Sequence, residues 1–133
     1  MYITNKMTNN KDKYYDMYYN NFTELLDNLS VIRPYDSSLL LFKGYKNVFE
    51  ATYGKKELVE TMDLYVKNYI DKILKKDESF FLSELENDFK DKSFIVNEIK
   101  KIREIWLDPS TTEQHKKIIW KHFIIFAKLS KVI

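Results

Sequence analysis

Residues 109–133 read PSTTEQHKKIIWKHFIIFAKLSKVI, and this stretch decides the fold. Ser110 to Glu113 form a helix-start signal, in which the Ser110 hydroxyl caps the first free N–H groups and the Glu113 carboxylate reaches back. The apolar run from Ile118 to Leu129 follows directly. A helix that is apolar on nearly every side must be buried against other elements. The stretch therefore predicts a helical domain that is organised around its own C-terminal helix.

The composition predicts long helices joined by few connections. The chain has 133 residues, the size of one domain, and 44% of them are hydrophobic, which excludes a wholly disordered chain. It has only two glycines and two prolines, whereas sheet proteins use both in tight turns. No segment alternates apolar and polar residues over the length of a strand. We therefore predict an all-α fold, a compact bundle of about five to six helices around a buried C-terminal helix.

No pattern in the chain indicates a disulfide, a membrane span or a secretion signal. The absence of cysteine excludes disulfides, thiolate metal sites and a cysteine nucleophile. The run from Ile118 to Leu129 falls short of the ~20 residues of a bilayer span, and Lys121, His122 and Lys128 interrupt it. The segment from Met1 to Lys6 lacks the layout of a signal peptide. These features predict an intracellular protein with no membrane partner.

Periodicity divides the chain into a tail and a domain. Residues 1–12 are polar and aperiodic, which predicts a flexible tail, and residues 13–133 are predicted to form a single helical domain. The first helix is expected from Lys13 to Ser30, because Pro34 disfavours helical geometry at Arg33. Its apolar stripe consists of Tyr15, Tyr18, Phe22, Leu25, Leu26 and Leu29.

Start and stop signals place the remaining helices. Asp36-Ser37-Ser38 caps a second helix, which ends at Tyr53-Gly54, and Gly44 within it marks a kink, a break or a close helix contact. A third helix is expected from Lys55 to Lys75, and shorter ones follow Asp77 and Ser93. The stripe of the third helix comprises Leu58, Met62, Tyr65, Val66, Tyr69, Ile70 and Ile73.

No constellation of residues indicates catalysis. His115 and His122 are seven residues apart, which separates them by about 10.5 Å along a helix, too far to share one metal ion. Glu84, Asp88 and Asp91 form an acidic stripe that lacks the glycine of a calcium loop. The glycines match no phosphate-binding motif. We therefore predict no enzyme activity, no cofactor and no metal site.

Four lysines follow one face of the last helix. Lys117, Lys121, Lys128 and Lys131 step by four, seven and three residues. Such a row of amines is a candidate for contact with a phosphate backbone or with an acidic partner. Against nucleic acid, the row lacks arginine and the net charge of the chain is only +2. The alternative interpretation is the solvated outer side of a buried helix.

Aromatic residues supply the candidate partner-binding positions. Tyr14 and Tyr19 flank the apolar stripe of the first helix within a dense tyrosine cluster, and Trp106 and Trp120 are candidate anchors because tryptophan dominates binding hot spots. Apolar neighbours favour the alternative that both tryptophans fill the core. Periodicity likewise favours a core-facing pair of tyrosines with two exposed neighbours.

The paired Ile-Trp helices carry a family resemblance. Ile102-Arg103-Glu104-Ile105-Trp106, followed by a linker and Lys117-Ile118-Ile119-Trp120-Lys121-His122-Phe123, resembles small uncharacterised proteins of nucleocytoplasmic large DNA viruses with mimivirus-like or phycodnavirus-like genomes. The segment from Tyr65 to Phe81 is also similar to that group. The resemblance covers residues 35–133 and departs from the pattern at His122-Phe123, where the group has Tyr-Leu. It implies a helical architecture and a viral owner, and it carries over no functional residues.

The leading functional hypothesis is a non-enzymatic protein–protein interaction module of a large DNA virus. Its partner would be a host protein, a viral protein or a copy of itself, in the host cytoplasm or the virus factory. The first alternative is a nucleic-acid-binding protein that uses the lysine row of the last helix. The second alternative is a structural component of the virion.

Overall fold

The computed structural model describes residues 2–82 and 94–133, and the side chains of residues 11–80 and 100–133. Within these ranges the chain forms six helices and one four-residue helical turn, and no strand. The elements are α1 (Tyr2–Ile32), α2 (Ser37–Tyr53), α3 (Lys55–Lys67), α4 (Ile70–Leu74), the turn α5 (Ser79–Leu82), α6 (Phe94–Leu107) and α7 (Glu113–Ser130). The predicted all-α bundle is confirmed.

The first helix begins earlier than predicted. α1 starts at Tyr2 rather than Lys13, so the backbone of the predicted polar tail is helical. Adding residues to an existing helix is far easier than nucleating a new one, and polar residues with modest propensity can therefore extend it. The flexibility of this segment stays a prediction. All six residues of the predicted α1 stripe are buried, as the three- and four-residue spacing requires.

The helix that was predicted from Lys55 to Lys75 is broken in two. α3 ends at Lys67 and α4 begins at Ile70. The Asn68 side chain donates to the carbonyl of Leu64 at 3.3 Å, and the Tyr69 N–H donates to the carbonyl of Val66 at 2.9 Å in a tighter turn. Asparagine competes for backbone groups in this way and so weakens a helix interior. The ring of Tyr69 still packs on Tyr65, with the centroids 5.2 Å apart.

The last helix is capped two residues later than predicted. Thr112, rather than Ser110, is the N-cap of α7, and its hydroxyl accepts a hydrogen bond from the His115 N–H at 3.1 Å. The His115 ring, rather than the Glu113 carboxylate, reaches back to the Thr112 N–H. Ser110 instead donates from its N–H and its hydroxyl to Asp108 Oδ1, both at 2.7 Å. Proline at position 109 stiffens that turn, and the helix therefore starts after it.

The core is built around α7, as predicted. This helix packs against α1, α3 and α4. Phe126 and Phe123 are fully enclosed, and the Phe126 ring lies 4.8 Å from that of Tyr18 on α1. Phe123 meets Phe80 edge to face at 5.2 Å. Burying an aromatic side chain of this size contributes about 2–3 kcal/mol to the free energy of unfolding, so α7 is central to the stability of the bundle.

Candidate functional site

The outer face of α2 is apolar and open to solvent. It consists of Leu40, Leu41, Gly44, Tyr45 and Val48, which recur at one-, three- and four-residue steps along one side of the helix. Leu40 is 68% exposed, and Val48 is 65% exposed. Exposed tyrosines lie just beyond both ends of this face, at positions 35 and 53. A contiguous apolar surface of this kind is typical of an interaction site.

The charged side chains of α2 all lie on the side that contacts α1. Lys46 is buried and donates to the Tyr19 hydroxyl at 3.0 Å. That hydroxyl donates in turn to Glu50 Oε2 at 2.7 Å. Lys43 forms an ion pair with Asp27 of α1 at 2.9 Å. The helix thus inverts the usual arrangement of a surface helix, which turns its charges outward.

The exposed residues of α2 carry no charge. About a quarter to a third of a soluble surface is charged, so ten exposed positions would ordinarily hold two or three charged residues. The ten exposed positions here are Ser37, Leu40, Leu41, Gly44, Tyr45, Asn47, Val48, Ala51, Thr52 and Tyr53. The chain therefore keeps this side of α2 free of the groups that would bind water most strongly.

Gly44 lies in the middle of this face, and the packing of the residues that the structure describes gives no reason for it. The helix runs through it without a break, and its φ is not positive. A Cβ atom built at this position has no neighbour within 4 Å. Glycine in a helix interior costs about 1 kcal/mol relative to alanine. The third possibility for this residue, a close helix contact, is not met within the described part of the chain.

The N-terminus of α2 is fixed to the rest of the bundle. Asp36 caps the helix and accepts from the Ser38 N–H at 3.0 Å, and its other oxygen pairs with Lys101 of α6 at 2.6 Å. Burial raises the Asp36 pKa, but the hydrogen bonds from Lys101 and Ser38 outweigh burial and hold the pKa below its usual value. The outer face of α2 is therefore presented on an anchored helix.

The four predicted partner-binding residues differ in how deeply they are buried. Tyr14 and Tyr19 are half-buried and pack against the core. Tyr19 lies between Lys46 and Lys55, whose amines are 4.4 and 4.7 Å from the ring centroid. Trp106 and Trp120 are buried, with their centroids 5.5 Å apart in an edge-to-face pair. Both tryptophans therefore fill the core, as their apolar neighbours indicated.

The lysine row is exposed along α7. Lys117, Lys121, Lys128 and Lys131 all lie on the solvent side, with half-buried Ile124 between them. They extend over about 21 Å of helix axis. Among the residues that the structure describes, no carboxylate forms an ion pair with any of these four amines. The predicted row thus forms an exposed basic stripe along α7 and its C-cap residue.

The two histidines have separate structural roles. His115 helps to cap α7, whereas His122 is buried between Asn21 and Asn28 of α1. Burial lowers the His122 pKa, the Glu24 carboxylate opposes this shift, and Lys121 adds to it. No group of three or more metal-binding side chains occurs in the described ranges. The acidic residues at positions 84, 88 and 91 lie outside them.

A half-open cleft of about 400 Å³ lies beside α3, and its polar groups mostly pair with one another. Tyr15 donates to Glu60 Oε1 at 3.0 Å, and Lys67 pairs with buried Asp63 at 3.3 Å. Burial, together with the adjacent Glu60, raises the pKa of Tyr15 to about 12. These two pairs engage the tyrosine, one glutamate and the buried aspartate that line the cleft.

The outer face of α2 was not among the predicted sites, although the sequence contains a signal for it. Lys43, Lys46 and Glu50 recur with the spacing of a single helix face, and they share that side with buried Leu39 and Phe42. Apolar residues occupy the opposite side as well. Whichever side faces the bundle, one of the two apolar sets is left exposed, so the pattern indicates an exposed apolar set without identifying which one it is.

Comparison with known proteins returns no relative. No protein family, curated protein or solved structure matches the chain. The resemblance to proteins of large DNA viruses gains no support from these comparisons and stays a prediction. Among the described helices, none is both long and apolar enough to cross a bilayer.

Proposed function

We propose that this chain is a protein–protein interaction module and that the outer face of α2 is its contact surface. The observation that carries the proposal is the inverted helix: every charged side chain of α2 lies toward α1, while Leu40, Leu41 and Val48 are exposed. Water solvates such a face poorly, and a partner that covers it gains the free energy of apolar burial.

The chemistry of this face favours an α-helix as the partner element. The face is a row of leucine, tyrosine and valine side chains along one helix, with a gap at Gly44. Packed helices approach to an axis separation of about 8–10 Å, and a missing side chain at the crossing point permits the shorter distance. An uncharged face also favours a partner helix whose own contact side is apolar and uncharged, because a buried unpaired charge is costly.

Photo-crosslinking tests this function directly. A photoreactive residue in place of Leu41 should yield a crosslinked adduct with the partner. Excess wild-type protein should compete for the partner and suppress this adduct, whereas excess Leu41→Glu/Val48→Glu protein should not suppress it. The adduct should map to an apolar helix of the captured protein. The matched control places the same residue at Leu64 of α3, which is 63% exposed but lies outside the face. Equal adducts from both positions, or none from position 41, would contradict the proposal.

Nucleic-acid binding through α7 is the second candidate. It is supported by the basic stripe of Lys117, Lys121, Lys128 and Lys131, whose amines are exposed and free of ion pairs with the described carboxylates. It implies an affinity that falls linearly with salt on a double-logarithmic plot, with a slope of up to about −4 for four contacts. Lys117→Glu/Lys121→Glu/Lys128→Glu should abolish such binding, while Lys75→Glu/Lys76→Glu should retain it.

The viral origin implied by the resemblance would supply the setting. In that setting the partner helix belongs to a host protein, to another viral protein, to a virion subunit or to this chain itself. Sequencing the adduct from position 41 distinguishes these sources.

A further inference from the structure

We infer that the occupant of the outer face of α2 is the same face of a second copy, in a twofold-symmetric dimer. This inference rests on the proposed function and narrows it to one partner. Two α2 helices would cross in antiparallel directions with Gly44 of both copies at the symmetry axis. A twofold interface uses one patch twice, so the patch must be complementary to itself.

The spacing of the face satisfies that requirement. Leu40 lies four residues before Gly44, and Val48 lies four residues after it. In an antiparallel crossing at Gly44, Leu40 of one copy therefore lies opposite Val48 of the other, and the same contact occurs twice. Leu41 and Tyr45 border the crossing on their own helix and enlarge the apolar area.

The charge distribution also permits the contact of a face with its own copy. A twofold axis places the patch against its own copy, so a face that carries charges of one sign would repel itself. The exposed residues of α2 are all uncharged, while Lys43 and Lys46 are engaged with Asp27 and Tyr19 of α1. Basic surfaces such as the α7 stripe lack this property, because two copies would bring like charges together.

Gly44 supplies the third argument. Its Cβ position is open in the single chain, so nothing within the described bundle requires glycine there. At a symmetric helix crossing, however, any side chain on the axis would meet its own copy. Glycine at this position allows the two backbones to approach closely and brings the flanking leucine and valine side chains into contact.

The size of the face sets the expected affinity. α2 has 17 residues, which gives a length of about 26 Å, and a single helix face covers less than the ~800 Å² per partner of a standard interface. We therefore expect a dissociation constant in the micromolar range, on the order of 10–100 µM. The dimer is best sought at protein concentrations that bracket this range.

Sedimentation velocity of the full chain is the first test. Wild-type protein should shift from monomer to dimer as its concentration rises through the micromolar range. Gly44→Gln should weaken the dimer by at least about tenfold, because glutamine keeps the helix but places a side chain at the crossing. Val48→Glu should weaken it by a similar factor. Leu64→Glu, the matched control on α3, should leave it unchanged, and circular dichroism should show equal helix content in all variants.

Engineered cysteine gives an independent test, because the natural chain has none. Gly44→Cys places two thiols at the axis, within the Cα separation of about 4.4–6.8 Å that a disulfide requires. Mild oxidation should link Gly44→Cys protein into a covalent dimer, whereas Leu64→Cys should stay largely unlinked.

The outcomes separate this inference from the proposed function. A chain that is monomeric up to millimolar concentration, or a dimer that Gly44→Gln leaves intact, overturns the inference. If position 41 still yields a specific adduct with another protein, the proposed function stands without self-association. If position 41 yields an adduct neither with another protein nor with a second copy of the chain, both proposals fail together.

Discussion

His122 Nδ1 lies 2.8 Å from Asn21 Oδ1 in the buried contact between α7 and α1. The backbone carbonyl of His122 accepts from Asn21 Nδ2 at 2.8 Å, and a carbonyl can only accept, so this bond fixes the orientation of the amide. Oδ1 therefore faces the ring, and Nδ1 carries the proton. Nε2 is then the acceptor for Asn28 Nδ2 at 2.7 Å. The cluster is complete when the ring is neutral.

This cluster should make stability depend on pH. Burial lowers the His122 pKa in the folded chain, whereas the unfolded chain binds the proton with a pKa of about 6.5. The unfolded state thus holds more protons in this range, and stability rises with pH. The contribution of neutral His122 should be fully present above about pH 6.5 and lost as the pH falls through the lowered pKa. Urea unfolding at a series of pH values across this window tests the dependence. The midpoints are compared where the slope of the unfolding free energy against urea concentration stays constant.

The two histidines provide matched variants for this measurement. His122→Gln should flatten the pH dependence, because the titrating ring is gone. His115→Gln should retain it, because the contacts of His122 with Asn21 and Asn28 stay intact. If His115→Gln flattens the curve instead, the assignment to His122 is wrong.

Asn21→Leu should destabilise the fold by about 2–6 kcal/mol, because two buried groups lose their partners and each costs about 1–3 kcal/mol. These groups are the ring Nδ1–H and the backbone carbonyl of His122. Asn20→Leu, one position away on the exposed side of α1, should change stability by no more than about 0.5 kcal/mol. Equal losses from both variants in urea unfolding would refute the role of the cluster.

Phe126→Ala should cost about 3–5 kcal/mol, since truncating a fully enclosed aromatic residue leaves a cavity. The ring contacts Tyr18, Phe22 and Phe123 across the centre of the bundle. Lys128→Ala on the exposed side of the same helix is the control and should stay within about 0.5 kcal/mol. Thermal unfolding followed by circular dichroism measures both, and a small effect of Phe126→Ala would place the core elsewhere.

The two glycines should respond in opposite directions to alanine. Gly44→Ala should stabilise the monomer by about 0.5–1 kcal/mol, because the added methyl group meets open space in a helix interior. Gly54→Ala should destabilise it by about 1–3 kcal/mol, because the φ of +94° at Gly54 strains any residue with a Cβ atom. Urea unfolding at low micromolar concentration, where self-association is weak, tests both. Shifts of the same sign would contradict one of these assignments.

The buried stripes of α1, α3 and α7 could be predicted because each follows a single helix face. Tyr18, Leu58 and Phe126 are enclosed, as the spacing of their neighbours indicated. Helix ends were harder to predict, since competing caps lie within two residues of one another. Ser110 and Thr112 are both good N-cap residues, and the Asp108 carboxylate decided between them by binding Ser110.

The orientation of α2 could not be predicted from local pattern alone. Its apolar residues surround most of the helix, so periodicity does not identify the inward side. That choice depends on Asp27 and Tyr19, which lie on another helix and bind Lys43 and Lys46. The break at Asn68, in contrast, has a local cause, because the asparagine side chain binds the Leu64 carbonyl.

The amides of Asn21 and Asn28 also limit how α1 can align with α7. Contacts between leucine and phenylalanine side chains tolerate a shift of one helix by one turn, because one apolar contact replaces another. The imidazole of His122 does not, since a shift of one turn leaves this buried ring and the buried amide of Asn21 without hydrogen-bond partners. Misaligned bundles of this sequence are therefore strongly destabilised, and the contacts among Asn21, Asn28 and His122 favour a single register of α1 against α7.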